Sequence, residues 1–459
     1  MKFYNREAEF KSLNNLKGNF RIAVIGRRRI GKTTLVENFY RENCINFFVS
    51  AEKAEKEIIA SWAQEYPELH LPVVDNFLSF FDFVFFHLKN KIIFIDETQN
   101  FLKVNKSFFF DLQRLIDKYK PKLVVSGSII SLMKNLIEEY KSPLYGRFDL
   151  IIKLNELDFK CVYQICKDLK MNIIHAIKLY SVFGGIPKYY ELVEKSKEFN
   201  FEEFLLSSFI IYPRPLYEEV KTMLKEEFGS EHKTFFTILS AISQGKNKSS
   251  EIAGYLGKKE TEITKYLSLL REDFEIIERK TPLISGKKGI YSIANNMVHF
   301  WFRNVWKYNE LLETLQEEKL KEVFIRDLNE IVSKSFEKII LELVRLKILF
   351  KQFKFSKIGS NWGNFRGEKG KDSYEIDLVA DSEKDNLMLF GECKWQDGIN
   401  PAEIAKELNR KIDYIEQKDR RSKEILAIFA RSFSKRIEEF EGKKVYCFDL
   451  KDIEKELLR

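Results

Sequence analysis

The sequence predicts an α/β protein of more than one domain, with a parallel sheet near the N-terminus. Three stretches carry that prediction. The apolar run at residues 20–25, with Arg21 in it, feeds the octapeptide GRRRIGKT at 26–33, which leads into a helical stretch at 34–41. Within the segment KIIFIDE at 91–97, residues 92–95 are a continuous apolar strand ending in two acids. Further on, YEIDLVA at 374–380 and LMLFGECKW at 387–395 read as two strands joined by a polar turn. Apolar strands alternating with helices are the pattern of a sheet covered on both faces.

The first stretch fits the pattern G-x-x-x-x-G-K-[ST] at each fixed position. A strand, a loop and a helix in that order surround one point with backbone N–H groups and the positive end of a helix dipole. A polyphosphate can sit there. Gly26 and Gly31 let the backbone approach the phosphates, Lys32 would reach the β- and γ-phosphates, and Thr33 would offer its hydroxyl to Mg²⁺. Arg27, Arg28, Arg29, Ile30 and Thr34 complete the expected nucleotide-binding loop.

Asp96 and Glu97 close the second stretch. Open α/β sheets bind ligands at the carboxyl edge of their strands, so both acids are expected beside the phosphate loop. Asp96 would hold Mg²⁺, directly or through water, and Glu97 would orient and polarise the attacking water. KLVVS at 122–126 is the next buried strand; Ser126 or Ser128 either reaches the γ-phosphate or belongs to a simple turn. SPLYGR ends at Arg147, which could serve as an arginine finger in cis or from a neighbouring subunit, or be a plain surface arginine.

The chain has 459 residues, enough for several domains, and 41 phenylalanines to fill their cores. A net charge of +8 permits nucleic-acid binding without demanding it. Cys44, Cys161, Cys166, Cys393 and Cys447 form neither a disulfide framework nor a zinc-ligand spacing. MKFYNREAEF lacks an apolar signal core, and the apolar region at 77–95 is broken by Asp82, His87, Lys89, Asn90 and Lys91. A soluble cytoplasmic protein with no membrane partner is expected.

The motifs F-x-x-R-E-x-E-x-x-x-L (Phe3, Arg6, Glu7, Glu9, Leu13), GRRRIGKT, IIFIDE, VVSGS, SPLYGR and GGIPKYY together resemble the archaeal P-loop ATPases of the STAND/AAA+-related branch. The similarity covers the first half of the chain. It implies an additional-strand P-loop NTPase fold, ATP as the nucleotide, and Glu97 as the catalytic acid. It also implies that Arg6 and Glu7 lie near the nucleotide, and that a winged helix and a nuclease-like domain follow.

Residues 155–228 are helical by periodicity, interrupted at GGIP, and are expected to form a lid over the nucleotide. Three short helices at 234–244, 249–256 and 260–271, then strands at 274–280 and 288–293, read as a winged helix-turn-helix. Lys258, Lys259, Thr261, Thr264 and Lys265 would face double-stranded DNA from the recognition helix, with Lys287 and Lys288 in the wing. The alternative is a winged helix used for protein contacts.

In the last part, strand alternation puts Glu392 and Lys394 on one face and Cys393 on the other. Asp377 could face them across the hairpin, and Glu337, in a helix at 320–349, could add a ligand. Two carboxylates and a lysine so placed can hold Mg²⁺ and support in-line attack on a phosphodiester. The D…E-x-K pattern resembles the restriction-endonuclease superfamily, with Ile376 where proline often precedes the aspartate. A helix at 401–417, a strand at 425–430, a helix at 434–440 and a strand at 444–448 are expected to complete that core. A salt-bridged hairpin or an inactive nuclease fold would carry the same residues.

The expected domains are a P-loop core (1–154), a helical lid (155–228), a winged helix (229–310) and a restriction-endonuclease-like α/β domain (311–459). The expected function is ATP hydrolysis with Mg²⁺ in a DNA-associated protein that can form a homo-oligomer, with a metal-dependent nuclease-like C-terminal domain. The alternatives are a nucleotide-switched DNA-binding protein and a signalling ATPase.

Overall fold

The computed structural model describes every residue except 1–2, 197–198, 285, 287–288, 309–316, 368–369 and 417–419. The expected wing residues Lys287 and Lys288 lie outside the described residues. The chain divides into two compact units. The first comprises Met1–Glu156 with Ile186–Leu192 and Met223–Gly229; the second comprises Leu157–Gly185, Val193–Thr222 and Ser230–Arg459. The stretch expected as a single lid is therefore shared between the two units.

In the first unit, strands β1 (Arg21–Ile25), β2 (Cys44–Phe48), β3 (Ile92–Asp96), β4 (Leu123–Gly127) and β5 (Leu150–Lys153) form a parallel sheet in the order β2-β3-β4-β1-β5. The central strands β3 and β4 are buried along their whole length, which is why each opens on an apolar run, Ile92–Ile95 and Leu123–Val125. Alternate side chains serve two cores. Ala23, Ile25, Phe47, Ile93, Ile95 and Val125 face one helical layer, while Ile22, Val24, Phe94, Val124 and Ile152 face the other. The first layer is dense in aromatics. Phe77 and Phe81 on the helix Phe77–His87 meet Trp62, Phe101 and Phe108, with Phe101 and Phe108 4.7 Å apart between ring centroids. Asn76 caps that helix by accepting from Ser79 N at 2.8 Å.

Strand β4 stands between the phosphate-loop strand β1 and the acidic strand β3. All three end on the same edge of the sheet. Ile25 is level with Gly127, and Gly26 N donates to Gly127 O at 3.3 Å.

In the second unit, the helices His232–Ser243, Ser249–Leu256 and Glu260–Ser268 precede an antiparallel pair, β6 (Ile277–Lys280) and β7 (Ile290–Ile293). Lys258, Lys259, Thr261, Thr264 and Lys265 are all exposed. The long helix Glu317–Arg345 follows. A six-stranded mixed sheet ends the chain, built from β8 (Lys357–Gly367), β9 (Gly370–Ser382), β10 (Leu387–Lys394), β11 (Lys423–Ala430), β12 (Glu439–Phe440) and β13 (Lys443–Phe448), in the order β12-β13-β11-β10-β9-β8. β8, β9 and β10 form an antiparallel meander; β10, β11 and β13 run parallel. One face is covered by the helix Pro401–Ile412, whose Ala405, Leu408 and Ile412 pack on Ile376, Phe390 and Leu426.

One expectation for this domain fails. Residues 434–440 do not form a helix: Glu439 and Phe440 pair with Lys444 and Lys443, and Arg436 is drawn to Asp449 and Asp452 at 2.6 and 2.7 Å. The closing helix lies later, at Leu450–Leu457, capped by Asp449.

Candidate active sites

The phosphate loop follows β1 and turns through two left-handed residues, Arg29 (φ 67°) and Gly31 (φ 92°). A side chain at Gly26 would press on Leu154 O at 2.8 Å, so this position stays bare for packing as well as for ligand approach. Lys32 opens the helix Lys32–Tyr40 and is 5 % exposed. Its ammonium donates to Gly26 O at 3.0 Å and Arg27 O at 3.2 Å and lies 3.9 Å from Glu97. Burial lowers the Lys32 pKa, against the opposing pull of Glu97 and Asp96.

Asp96 is anchored on both oxygens. Thr33 Oγ1 donates to Oδ2 at 2.6 Å; Ser126 and the Glu97 N–H, at 3.0 Å, donate to Oδ1. Glu97 takes a left-handed conformation (φ 56°) and accepts from Ser128 Oγ at 2.6 Å and from the Gln99 amide. Of the two serines read either as γ-phosphate contacts or as parts of a simple turn, Ser126 is buried and donates to Asp96. Ser128 sits on Glu97. Arg6 is buried and reaches the loop at Ile30 O, 3.4 Å away, while Glu7 is exposed. Arg28 pairs with Glu226 at 3.5 Å, Arg29 lies 5.7 Å over the Tyr189 ring, and Thr34 is exposed.

Arg147 does not reach this loop within its own chain. It precedes β5 by three residues, and its neighbour Asp149 is bonded to Arg21 at the start of β1. Arg147 therefore stands at the entry edge of the parallel sheet, opposite the phosphate loop, paired with Asp117 at 3.1 Å. The in-cis arginine finger is ruled out by strand direction. Gln99 carries no sequence signal of its own; its place against Glu97 follows from the tight turn after β3.

The second constellation lies in a cleft of about 610 Å³ lined by residues of the long helix, β9, β10 and the helix Pro401–Ile412, with Arg431 just after β11. Glu337, Glu375 and Asp377 each bring a carboxylate oxygen within 4.8 Å of the others. Asp377 Oδ2 accepts from Cys393 N at 2.9 Å, just beyond the last ladder pair Gly391 with Leu378. Burial, and then Glu337 and Glu392, push the Asp377 pKa up to about 8. Burial likewise raises that of Glu337, although Lys334 lies 3.1 Å away. Burial alone would pull the Lys334 ammonium down, but Glu337 and Glu375 outweigh it and the net direction is upward.

Glu392 was expected among the metal ligands. It stands outside the three-carboxylate group, held by Lys394 at 2.8 Å and by Lys411 at 2.9 and 3.0 Å. The pairing of Glu392 with Lys394 follows from strand alternation, as expected. Glu375 was missed although it sits two residues before Asp377 on the same strand face, a spacing legible in the sequence. Lys411 gave no signal, because it arrives from a separate helix.

Known proteins bear on both sites. Residues 19–162 match the family described as AAA domain, and residues 301–412 match a family described as archaeal and bacterial proteins of unknown function. Among solved structures, the Walker-type ATPase PABY2304 of Pyrococcus abyssi is 18% identical, covers 66% of this chain and 96% of its own, and gives a TM-score of 0.49. The Aeropyrum pernix ORC2 protein is 14% identical, with 71% and 93% covered and a TM-score of 0.44. The residues matched by the AAA-domain family, 19–162, contain all five strands of the N-terminal parallel sheet. No helix among the described residues is long and apolar enough to cross a membrane. The uncharacterized protein MJECL04 of Methanocaldococcus jannaschii is 33% identical over 98% of this chain and 99% of its own length, and the chain belongs to the same family as that protein.

Proposed function

We propose that the protein hydrolyses ATP with Mg²⁺ at the phosphate loop. The observation that carries this reading is the 2.6 Å hydrogen bond from Thr33 to Asp96 beside the buried Lys32. A hydroxyl, a carboxylate and an ammonium converge there, the donor set that Mg²⁺ and a triphosphate require. Thr33 and Asp96 would hold the ion, which neutralises charge on the phosphates when bound. Lys32 would move from the loop carbonyls to the phosphate oxygens. Glu97 would accept a proton from water as the water oxygen bonds to the γ-phosphorus. The bond from that phosphorus to the β–γ bridging oxygen breaks, and ADP leaves with the electron pair. Release of inorganic phosphate, measured on the full chain, is expected to require Mg²⁺ and to be lost in Glu97→Gln. A Glu97→Gln variant as active as the wild type would overturn the assignment.

A second reading concerns the C-terminal cleft: metal-dependent cleavage of a phosphodiester in DNA. It is favoured by the three convergent carboxylates of Glu337, Glu375 and Asp377 next to Lys394. Those carboxylates would hold a divalent ion, which acidifies bound water when present. Lys394 would contact the phosphate under attack. The exposed Lys258, Lys259 and Lys265 would add contacts to duplex phosphates, so affinity would fall steeply with salt. Nicking of plasmid with Mg²⁺ or Mn²⁺, abolished in Lys394→Ala, is the expected result. Retention on DNA without nicking would instead favour a nucleotide-switched DNA-binding protein. Absence of DNA affinity at low salt would favour a signalling ATPase.

A further inference from the structure

The C-terminal cleft holds one feature that neither the strand pattern nor the carboxylate group explains. Glu392 is buried to 4 % exposure and takes two ammonium groups. Lys394, two residues along the same strand, touches only Oε1, at 2.8 Å. Lys411, from the helix Pro401–Ile412, donates to both oxygens, at 2.9 and 3.0 Å, and has Glu407 as a weaker partner at 3.6 Å. Lys411 is also the less exposed of the two lysines, at 15 % against 29 %.

A buried carboxylate left without a counter-charge is strongly destabilised. If Lys394 were its single partner, moving that lysine onto a substrate phosphate would strand Glu392. With Lys411 spanning both oxygens, Lys394 can leave Oε1 and the carboxylate remains paired. The asymmetry of the bonding fits this division: the better-buried, bidentate lysine stays and the more exposed, monodentate one is released.

We propose that Lys411 is a positioning residue that keeps Glu392 paired and thereby frees Lys394 to engage a phosphodiester. The proposal rests on the reading of this cleft as a phosphodiester-cleaving site, because it assigns Lys394 a partner outside the protein. Lys411 itself does not touch the reacting atoms.

The test measures Lys394 directly in the full chain. Pulse acylation with acetic anhydride, quantified by peptide mass spectrometry, reports how often the Lys394 amine is off Glu392. In Lys411→Met, Glu392 has Lys394 as its remaining ammonium, and acylation of Lys394 should fall about tenfold, the scale of one charge-assisted hydrogen bond. Lys411→Arg, which preserves a bidentate cation, should label like the wild type, and Glu392→Gln should label Lys394 faster. Unchanged or increased labelling of Lys394 in Lys411→Met, with wild-type circular dichroism, would overturn the proposal. So would failure of Lys411→Arg to restore it. With nicking as the second readout, Lys411→Met should lower kcat with little change in KM, and equal loss in both would point to a merely structural lysine. A wild-type protein that nicks nothing would count against the nuclease reading alone, since the acylation result decides the role of Lys411 without it.

Discussion

Ser128 donates its hydroxyl to Glu97 Oε2 at 2.6 Å, and Gln99 donates its amide to the same oxygen. The acid expected to activate water is therefore fixed by one residue from the end of β4 and one from its own turn. Gly127 makes this possible, since a side chain there would overlap Met133 and the Gln99 amide oxygen. Substituting Gln99 by leucine should lower kcat for ATP hydrolysis about tenfold, within the range of a positioned general base, and leave ATP affinity intact. Parallel loss of affinity in a nucleotide-binding titration would mean that Gln99 shapes the loop rather than the acid.

The Lys32 ammonium rests on two loop carbonyls, Gly26 O and Arg27 O. On the proposed ATPase reading, Lys32→Ala would remove a charge-assisted contact to phosphate worth roughly 1.5–3 kcal/mol. ATP affinity with Mg²⁺, followed with a fluorescent analogue, should drop by about tenfold or more. Unaltered binding would remove the basis for the ATPase reading.

The acidic cleft should respond to pH through Asp377. Its folded pKa of about 8 lies above the ordinary 3.8, so the folded unit holds this proton more tightly than the unfolded chain does. The stabilisation is complete below the unfolded value and is lost as pH rises toward 8. Metal-free protein should thus lose thermal stability between pH 5 and pH 8 at ~1.4 kcal/mol per unit or less, and Asp377→Asn should flatten that slope. Binding of Mn²⁺, which must displace the proton, should strengthen with pH over the same window. A calorimetric affinity that does not change with pH would show that Asp377 is ionised before the metal arrives.

Gly185 offers a packing test away from both sites. Leu157 N donates to Gly185 O at 2.9 Å, and a side chain at 185 would overlap the Leu157 backbone. Backbone cannot step aside as a side chain can. Gly185→Ala should cost ~3 kcal/mol or more, visible as a lower midpoint in urea. An unchanged midpoint would mean that the 155–158 segment shifts freely.

Much of the chemistry is written locally. The loop, its strand and its helix are contiguous, so GRRRIGKT declares itself by spacing. Asp96 and Glu97 follow an apolar run that can only be a buried strand, and Glu392 and Lys394 share a face by alternation. In each case neighbours in sequence are neighbours in space, and backbone periodicity is enough. Glu375 belongs to this class too, two residues from Asp377.

What the sequence could not decide depends on contacts between distant segments. Strand order placed β4 between β1 and β3, which turned Ser126 toward Asp96 and Ser128 toward Glu97. Parallel strand direction put Arg147 at the edge opposite the loop, although its motif gives no hint of which edge it occupies. A crossing helix brought Lys411 onto Glu392. A competing ion pair and a short strand replaced the helix expected at 434–440. Local periodicity fixes which way a side chain points on its own element; only the packing of elements fixes what it meets.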